Sequence, residues 1–276
     1  CPTLQPGHRV SARIRACGKN PAPLEVVLVI TTLEATGKPQ FVRSKSKTLK
    51  PGQRTTLGWK LPADLPQPFL NIGLEFHSIG AAKLELATLN WSGPPTTKLL
   101  PLSLGDIAPR AWIEACTGIW RYSDRLLVYQ EDGLGFFAQG ARDWCNYTVT
   151  AQLRPRLGNT WGLAARWQGL QRHLTVRFDG QHARIVSCLD GRERVLATVK
   201  FPWPNEQPRQ VELTVQGNTC IVTVDSKTLL STKRIPAWLD SGAVALAVSE
   251  GSLECIRMDL VSLPDKTKSA SSKPLS

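Results

Sequence analysis

The chain has 276 residues, of which 42% are hydrophobic and 20% charged, with 21 glycines and 20 prolines. That balance excludes a disordered polymer, and the length suits two globular domains rather than one. The formal net charge is +12, and no run of about twenty apolar residues is present to form a transmembrane helix.

Taken in order, residues 8–16 (HRVSARIRA) alternate strictly, with Val10, Ala12, Ile14 and Ala16 pointing one way. That is the period of a half-buried strand. GKNPAP turns the chain, and Leu24–Leu33 reads as an apolar strand long enough to be central. Phe41–Leu49 predicts a strand with Arg43, Lys45 and Lys47 on its solvent face. Arg54–Leu61, Leu70–Phe76 and Lys83–Trp91 complete about six strands, and His77 falls in a surface loop. Gly/Pro turns between them and the near absence of helical periodicity predict a β-sandwich over 1–105. Residues 93–111 are Pro-rich and aperiodic, and mark the boundary. Residues 106–263 then predict about eleven further strands, a larger two-sheet sandwich. The polar tail from 264 to 276 reads as disordered.

The stretch 142–179 organises this second domain. Tyr147, Val149, Ala151 and Leu153 form one apolar face, Pro155–Asn159 reads as a breaker, and Trp161–Gln168 resumes an extended course. A turn at 168–171 leads into a strand on which His173, Thr175 and Arg177 alternate with Leu174, Val176 and Phe178. Asp179-Gly180 and Asp190-Gly191 are hairpin-turn pairs.

The positive charge is uneven. Residues 1–105 carry 13 Lys/Arg against 5 Asp/Glu, and residues 106–263 carry 18 against 16. The first domain would therefore attract nucleic acid, acidic polysaccharide or a membrane surface, unless its charge is simply a solvated face. No nucleic-acid motif accompanies it. Seven cysteines, at 1, 17, 116, 145, 188, 220 and 255, have neither CxxC nor zinc spacing. Their odd number and irregular spacing favour thiols over disulfides, hence a reducing, cytoplasmic compartment. Beginning at Cys1, with methionine only at 258, the chain reads as a piece of a longer protein.

The order of phrases from 118 to 263 resembles the concanavalin A-like (laminin G-like) jelly roll. Asp143-Trp144-Cys145-Asn146-Tyr147-Thr148-Val149 comes first, then GLAARWQGLQRHLTVRFD, then Val215-Gln216-Gly217-Asn218 with CIVTVDSKTLL, and last SGAVALAVSEG. Ser226 stands where the pattern has a turn glycine, and His173-Leu174 where it has an aromatic pair. A narrower resemblance, carried by the GLGFFAQGARDW…GLAARWQGL phrase, is to the C-terminal β-sandwich accessory region of some ADP-ribosylglycohydrolase-family proteins. The first half is similar to carbohydrate-binding jelly-roll modules through LNIGLEFHSIGAAKLELATLNWSG. The resemblance implies binding or positioning for an upstream catalytic domain of the same polypeptide, whose acidic metal-ligand motifs are not in this chain.

Jelly rolls hold glycans by stacking an aromatic ring on the sugar and directing planar polar side chains at its hydroxyls. The residues placed for that role are Arg142, Asp143, Trp161, Arg166, Gln168, Arg172, His173 and Glu250. Strand parity puts Arg166 and Gln168 on one face and His173, Thr175 and Arg177 on one face of the next strand. Their alternative is a solvated sheet surface. Trp144 and Tyr147 read as core anchors, and Trp59 and Trp91 either as a sugar platform or as core aromatics. No cofactor is implied; Glu131-Asp132-Gly133 reads as a turn, with calcium as the other use of such a triplet. The expected function is a non-catalytic binding module for carbohydrate or an ADP-ribose-type ligand. Two alternatives stay open: a jelly-roll glycoside hydrolase using carboxylates among Glu131, Asp132, Asp143 and Glu250, and a structural or protein-interaction pair of sandwiches.

Overall fold

In a computed structural model the described residues are 4–33, 37–62, 64–66, 69–93, 97–100, 112–122 and 125–264. The aperiodic 101–111 stretch and the polar tail from 265 lie outside them. The described residues fall into two compact units, each all-β, and contain no helix.

The first unit, through Pro95, holds seven strands: β1 Arg9–Ala16, β2 Leu24–Leu33, β3 Pro39–Arg43, β4 Lys47–Leu49, β5 Arg54–Lys60, β6 Phe69–His77 and β7 Leu84–Ser92. One sheet runs β5-β1-β7. In the other, β3 and β4 share one edge of β2 and β6 takes the opposite edge. The alternation in β1 buries Val10, Ala12, Ile14 and Ala16 in one core with Val26, Leu28 and Ile30 of β2. Trp59 and Trp91 both lie opposite Val10, so they share its inward face and pack against that core. The sugar-platform reading of these two rings therefore gives way to the core reading. The single strand expected over 41–49 breaks at Ser44. Its hydroxyl accepts the Leu28 N–H (2.9 Å) while its own N–H donates to Leu28 O (2.9 Å), so a side chain replaces one rung of the ladder. His77 ends β6, exposed.

The second unit takes in β8 Thr97–Leu100, β9 Trp112–Ala115, β10 Gly118–Tyr122, β11 Arg125–Gln139, β12 Tyr147–Leu157, β13 Thr160–Gly169 and β14 Arg172–Phe178. It continues with β15 His182–Leu189, β16 Arg192–Lys200, β17 Arg209–Gln216, β18 Thr219–Val224, β19 Lys227–Thr232 and β20 Ala243–Ser262. β8 is a correction, since the boundary segment was expected to carry no strand; it pairs with the end of β20.

β20 organises both layers. Its first part, through Ser249, pairs with β13 and with the end of β11, in the layer that continues β14-β15-β16. Its second part, from Ser252, pairs with β12 and with the start of β11, in the layer that continues β17-β18-β19. Both long strands bend between layers at one level. β11 bulges over Glu131-Asp132-Gly133, with Gly133 at φ 66°, and β20 turns at Glu250, φ 48°. A bulge sharpens twist and bends a strand, so the triplet expected as a turn is a bend inside β11. At Gly251 a Cβ would lie 2.1 Å from Leu157 O, so glycine alone lets β12 and β20 cross there. Pro155 also fails to break its strand: β12 runs through it to Leu157.

Between the layers Trp144, Tyr147, Leu163, Val176, Phe178, Trp203, Leu213, Leu246 and Leu260 share one core. Trp161 belongs to it, edge-on to Trp203 at 6.0 Å between ring centroids. Each such aromatic or Leu side chain contributes roughly 1.5–3 kcal/mol by leaving water. The Asp190-Gly191 turn has both residues at positive φ, 50° and 76°, as a type I′ hairpin requires. Asp225 and Ser226 repeat that geometry at 48° and 66°, with serine in a conformation that favours glycine.

Candidate functional site

The structure distributes the expected site residues over three places. At one end of the second unit, the loop after β11, the β13–β14 and β15–β16 hairpins and the loop before β20 converge. Arg142, Asp143, Gln168 and Arg172 lie there, above Arg166. Trp161 lies at the other end of β13, and Glu250 at the bend within β20. His173 lies between, on β14.

Arg166 is the residue for which parity fails. The β13–β14 ladder loses register between Ala165 and Gly169, and Arg166 adopts φ 48°. This bulge turns its side chain away from Gln168 and into the interior, where it is 2% exposed. Its Nε and Nη2 donate to Cys145 O at 3.2 and 3.0 Å, and Nη1 donates to Leu239 O at 2.8 Å. Its backbone N–H donates to the Tyr147 hydroxyl (2.6 Å), which in turn lies 3.0 and 3.2 Å from the carbonyls of Gly242 and Ala243. Burial pushes the Tyr147 phenol up and holds the Arg166 guanidinium below its ordinary value. A Cβ on Gly242 would meet the Arg166 carbonyl carbon at 2.5 Å, so glycine is what lets the loop seat against it. Arg166 thus ties the loop after β11 and the loop before β20 to β13 from beneath, and offers its donors to backbone, not to solvent.

Above this node the surface is polar. Arg172 is exposed and its guanidinium carbon sits over the Trp238 ring, 6.0 Å from the centroid. Nη2 of Arg172 lies 3.9 Å from Asp190 Oδ1, across the neighbouring hairpin. Gln168 Nε2 donates to Ser241 O at 2.8 Å, and the Ser241 hydroxyl donates to Asp240 at 3.1 Å. Arg142 and Asp143 are exposed on the turn before the buried Trp144. One half-buried indole, packed against the main core, thus has the Arg172 guanidinium over its ring, with Asp190 beside that guanidinium and Gln168 on the same hairpin. Sequence reading missed Trp238 and Asp240, since RIPAWLDSG has no strand period; its single Trp between turn residues was the available signal.

On β14, His173, Thr175 and Arg177 do share the face away from the main core, beside Phe136, Ala164 and Trp167. They are paired with one another and with β15 and β16. Arg177 grips Glu193 of β16 with both terminal nitrogens (2.9 and 2.5 Å), Nε donates to Thr175 Oγ1 at 3.0 Å, and Nη2 lies 3.4 Å from His173 Nε2. Gly169 O can only accept and Arg177 can only donate, which fixes His173 as the neutral Nδ1–H tautomer. Burial, helped by Arg177, brings His173 down to about 4. Among the described residues one group brings metal-ligating atoms within 4.8 Å of one another: His173, Cys188 and Glu193. Arg177 already supplies the cation there.

At the far end Glu250 is exposed and accepts from Asn159 Nδ2. The β11 bulge places Glu131 and Asp132 beside it, because Gln130 pairs with Gly251 and Leu134 with Ser249. Asp143 lies near the start of β20, next to Trp144, whose carbonyl accepts the Gly242 N–H. Seven residues of β20 separate Ala243 from Glu250, about 23 Å at roughly 3.3 Å each. A glycosidase pair needs carboxyls about 5–10 Å apart, which Asp143 and Glu250 do not provide. Elsewhere Glu206 and the fully buried Glu254 share Arg156 Nη1 at 2.9 and 3.8 Å, with Arg125 and Arg154 completing the network. None of the described cysteines is in a disulfide.

No protein-family model matches the chain, and no curated protein matches it in sequence. Among solved structures it is similar to the carbohydrate-binding module CBM66 from Bacillus subtilis, at 13% identity and TM-score 0.51, over 55% of this chain and 96% of that one. It is also similar to a Bacillus subtilis protein of unknown function with a galectin-like fold (10% identity, TM-score 0.47, 63% of this chain and 99% of that one). A third is the carbohydrate recognition domain of Emp46p (12% identity, TM-score 0.45, 60% and 94%). The first, with the highest TM-score of the three, shows the fold: this chain is built of β-sandwiches and contains a concanavalin A-like jelly roll.

Proposed function

We propose that the second unit is a non-catalytic carbohydrate-binding module whose site is the rim formed by Arg172, Trp238, Asp190, Gln168 and Asp240. The observation that carries this is the Arg172 guanidinium over a half-buried indole, with a carboxylate and a carboxamide beside it. Planar hydrogen-bonding groups converging beside a half-buried indole edge suit a sugar's hydroxyls and apolar C–H groups, the ring face itself being covered by Arg172. The rim is held by the buried Arg166–Tyr147 node, so the surface is preorganised rather than formed on binding. The similarity of fold to CBM66, a carbohydrate-binding module, supports the same class of ligand. An ADP-ribose-type ligand fits the same groups, attachment to an upstream ADP-ribosylglycohydrolase-like enzyme is the setting the sequence resemblance suggests, and the unpaired cysteines favour a cytoplasmic location.

The hydrolase alternative is the weaker reading. It needs a carboxyl kept protonated in a water-poor pocket. Glu131, Asp132 and Glu250 are exposed, and Glu206 and Glu254 are ion-paired to arginines. The test is an array of neutral and acidic glycans together with poly-ADP-ribose, probed with the whole chain and with Arg172→Ala. Binding to one class that drops with Arg172→Ala is the expected result. Binding to neither class, or binding indifferent to this change, overturns the proposal.

A further inference from the structure

In the first unit, strand parity sends Val10, Ala12, Ile14 and Ala16 inward and leaves Arg9, Ser11, Arg13 and Arg15 on the outward face of β1, the middle strand of its sheet. The register with β5 sets Lys60 beside Arg9 and Arg54 beside Arg15. The register with β7 sets Asn90 beside Ser11, Thr88 beside Arg13 and Glu85 beside Arg15. The outward rows therefore carry five cations and one carboxylate, and that carboxylate is 3.9 Å from Arg15. At roughly 3.3 Å per residue, Arg9 to Arg15 spans about 20 Å.

This arrangement works against the sheet. Like charges directly opposite one another destabilise an antiparallel pair, and here two such pairs, Arg9–Lys60 and Arg15–Arg54, stand on the same two strands. Gly58 lies opposite Ser11, and the Arg9 guanidinium lies across it, 3.0 Å from where a Cβ would be. The middle row of the face therefore carries the Ser11 hydroxyl, the Asn90 amide and the reach of the Arg9 guanidinium over Gly58. Trp59 and Trp91, the aromatics of these strands, face the core.

We propose that the outward face of β5-β1-β7 is a binding site for a linear acidic polysaccharide, carboxylated or sulfated, lying along β1. Anionic groups would offset the opposed cations, while Ser11, Thr88 and Asn90 face sugar hydroxyls. A single-stranded nucleic acid is the poorer fit, because sequence-tolerant binding of its bases relies on exposed aromatic rings and this face has none among its described residues. This inference stands on the first unit alone and is independent of the rim.

The experiment measures binding of the whole chain to immobilised polygalacturonate and heparin over a salt series, with poly-uridine RNA as competitor. One variant carries Arg9→Gln, Arg13→Gln and Arg54→Gln. A control removes the same charge with Lys38→Gln, Lys45→Gln and Lys227→Gln, all exposed and off this face. The face variant is expected to lose about tenfold in affinity for at least one polysaccharide and about two in the log–log salt slope, the control no more than about twofold in affinity. Equal losses in the two variants would reduce the effect to net charge and overturn the site, as would no polysaccharide binding or tighter binding of poly-uridine. Should the triple variant not fold, Arg13→Gln with Lys60→Gln reads the same face.

Discussion

Two arginines of one hairpin, Arg166 and Arg172, separate what holds the second unit together from what it presents. Arg166, at the β13 bulge, has its guanidinium spent on the carbonyls of Cys145 and Leu239 and is shut from water. Arg172, just past the turn, meets an indole face at 6.0 Å and a carboxylate at 3.9 Å. The difference is backbone conformation. A positive φ at Arg166 swings its side chain through the sheet, whereas Arg172 keeps extended geometry at the rim. A charged residue in a strand is thus assigned to fold or to ligand by local register as much as by its chemistry.

The largest expected effect breaks the buried side of this contrast. Arg166→Met takes three N–H donors from two interior carbonyls and should cost about 3–5 kcal/mol, read as a lower urea midpoint at unchanged m. A loss below about 1 kcal/mol would mean that Arg166 is no more structural than Arg172.

Next is the pH response of His173, whose folded value of about 4 lies below the ordinary imidazole value. At neutral pH it is uncharged in both states and costs nothing. As pH falls from about 6.5 the unfolded chain takes a proton that the fold refuses, so stability declines through that window and the loss levels off below about 4. The limit is about 3 kcal/mol. His173→Gln should remove that part of the slope, seen as a flatter plot of urea midpoint between pH 4 and 7. An unchanged slope would show that His173 is protonated in the fold as readily as in the unfolded chain. Smaller again is Tyr147→Phe, which strips the acceptor from the buried Arg166 N–H and should cost about 1–3 kcal/mol. Retained stability there would mean that another group receives that N–H.

What the sequence shows and hides follows the same line. Period-2 alternation is a direct record of burial, which is why β1, β12 and β14 and the inward Trp144 and Tyr147 are legible. The jelly-roll phrases are legible for the same reason, since turn pairs such as Asp190-Gly191 have few conformations open to them. Bulges are not legible. Gly133 marks one, but Arg166 and Glu250 take positive φ without being glycine, and a one-residue slip inverts every face downstream. Hence Arg166 was expected beside Gln168 and lies beneath it. Trp238 escaped notice because its role comes from Arg172, distant in sequence and adjacent only once β14 and the β19–β20 loop are folded together.

The smallest expected effect on stability sharpens the exposed side. Arg172→Ala removes an exposed guanidinium from a loose ion pair and one aromatic face, interactions worth about 0.5–1 kcal/mol at most at such a surface. The urea midpoint should therefore move little, while ligand binding at the rim drops. Asp190→Asn supplies the second arm. It keeps the turn geometry but removes the charge 3.9 Å from Arg172, so a neutral sugar held by hydrogen bonds should bind with little change, whereas an acidic ligand should bind more tightly once the carboxylate is gone. If Arg172→Ala instead destabilises the protein as Arg166→Met does, both arginines belong to the fold and the rim loses its claim as a site.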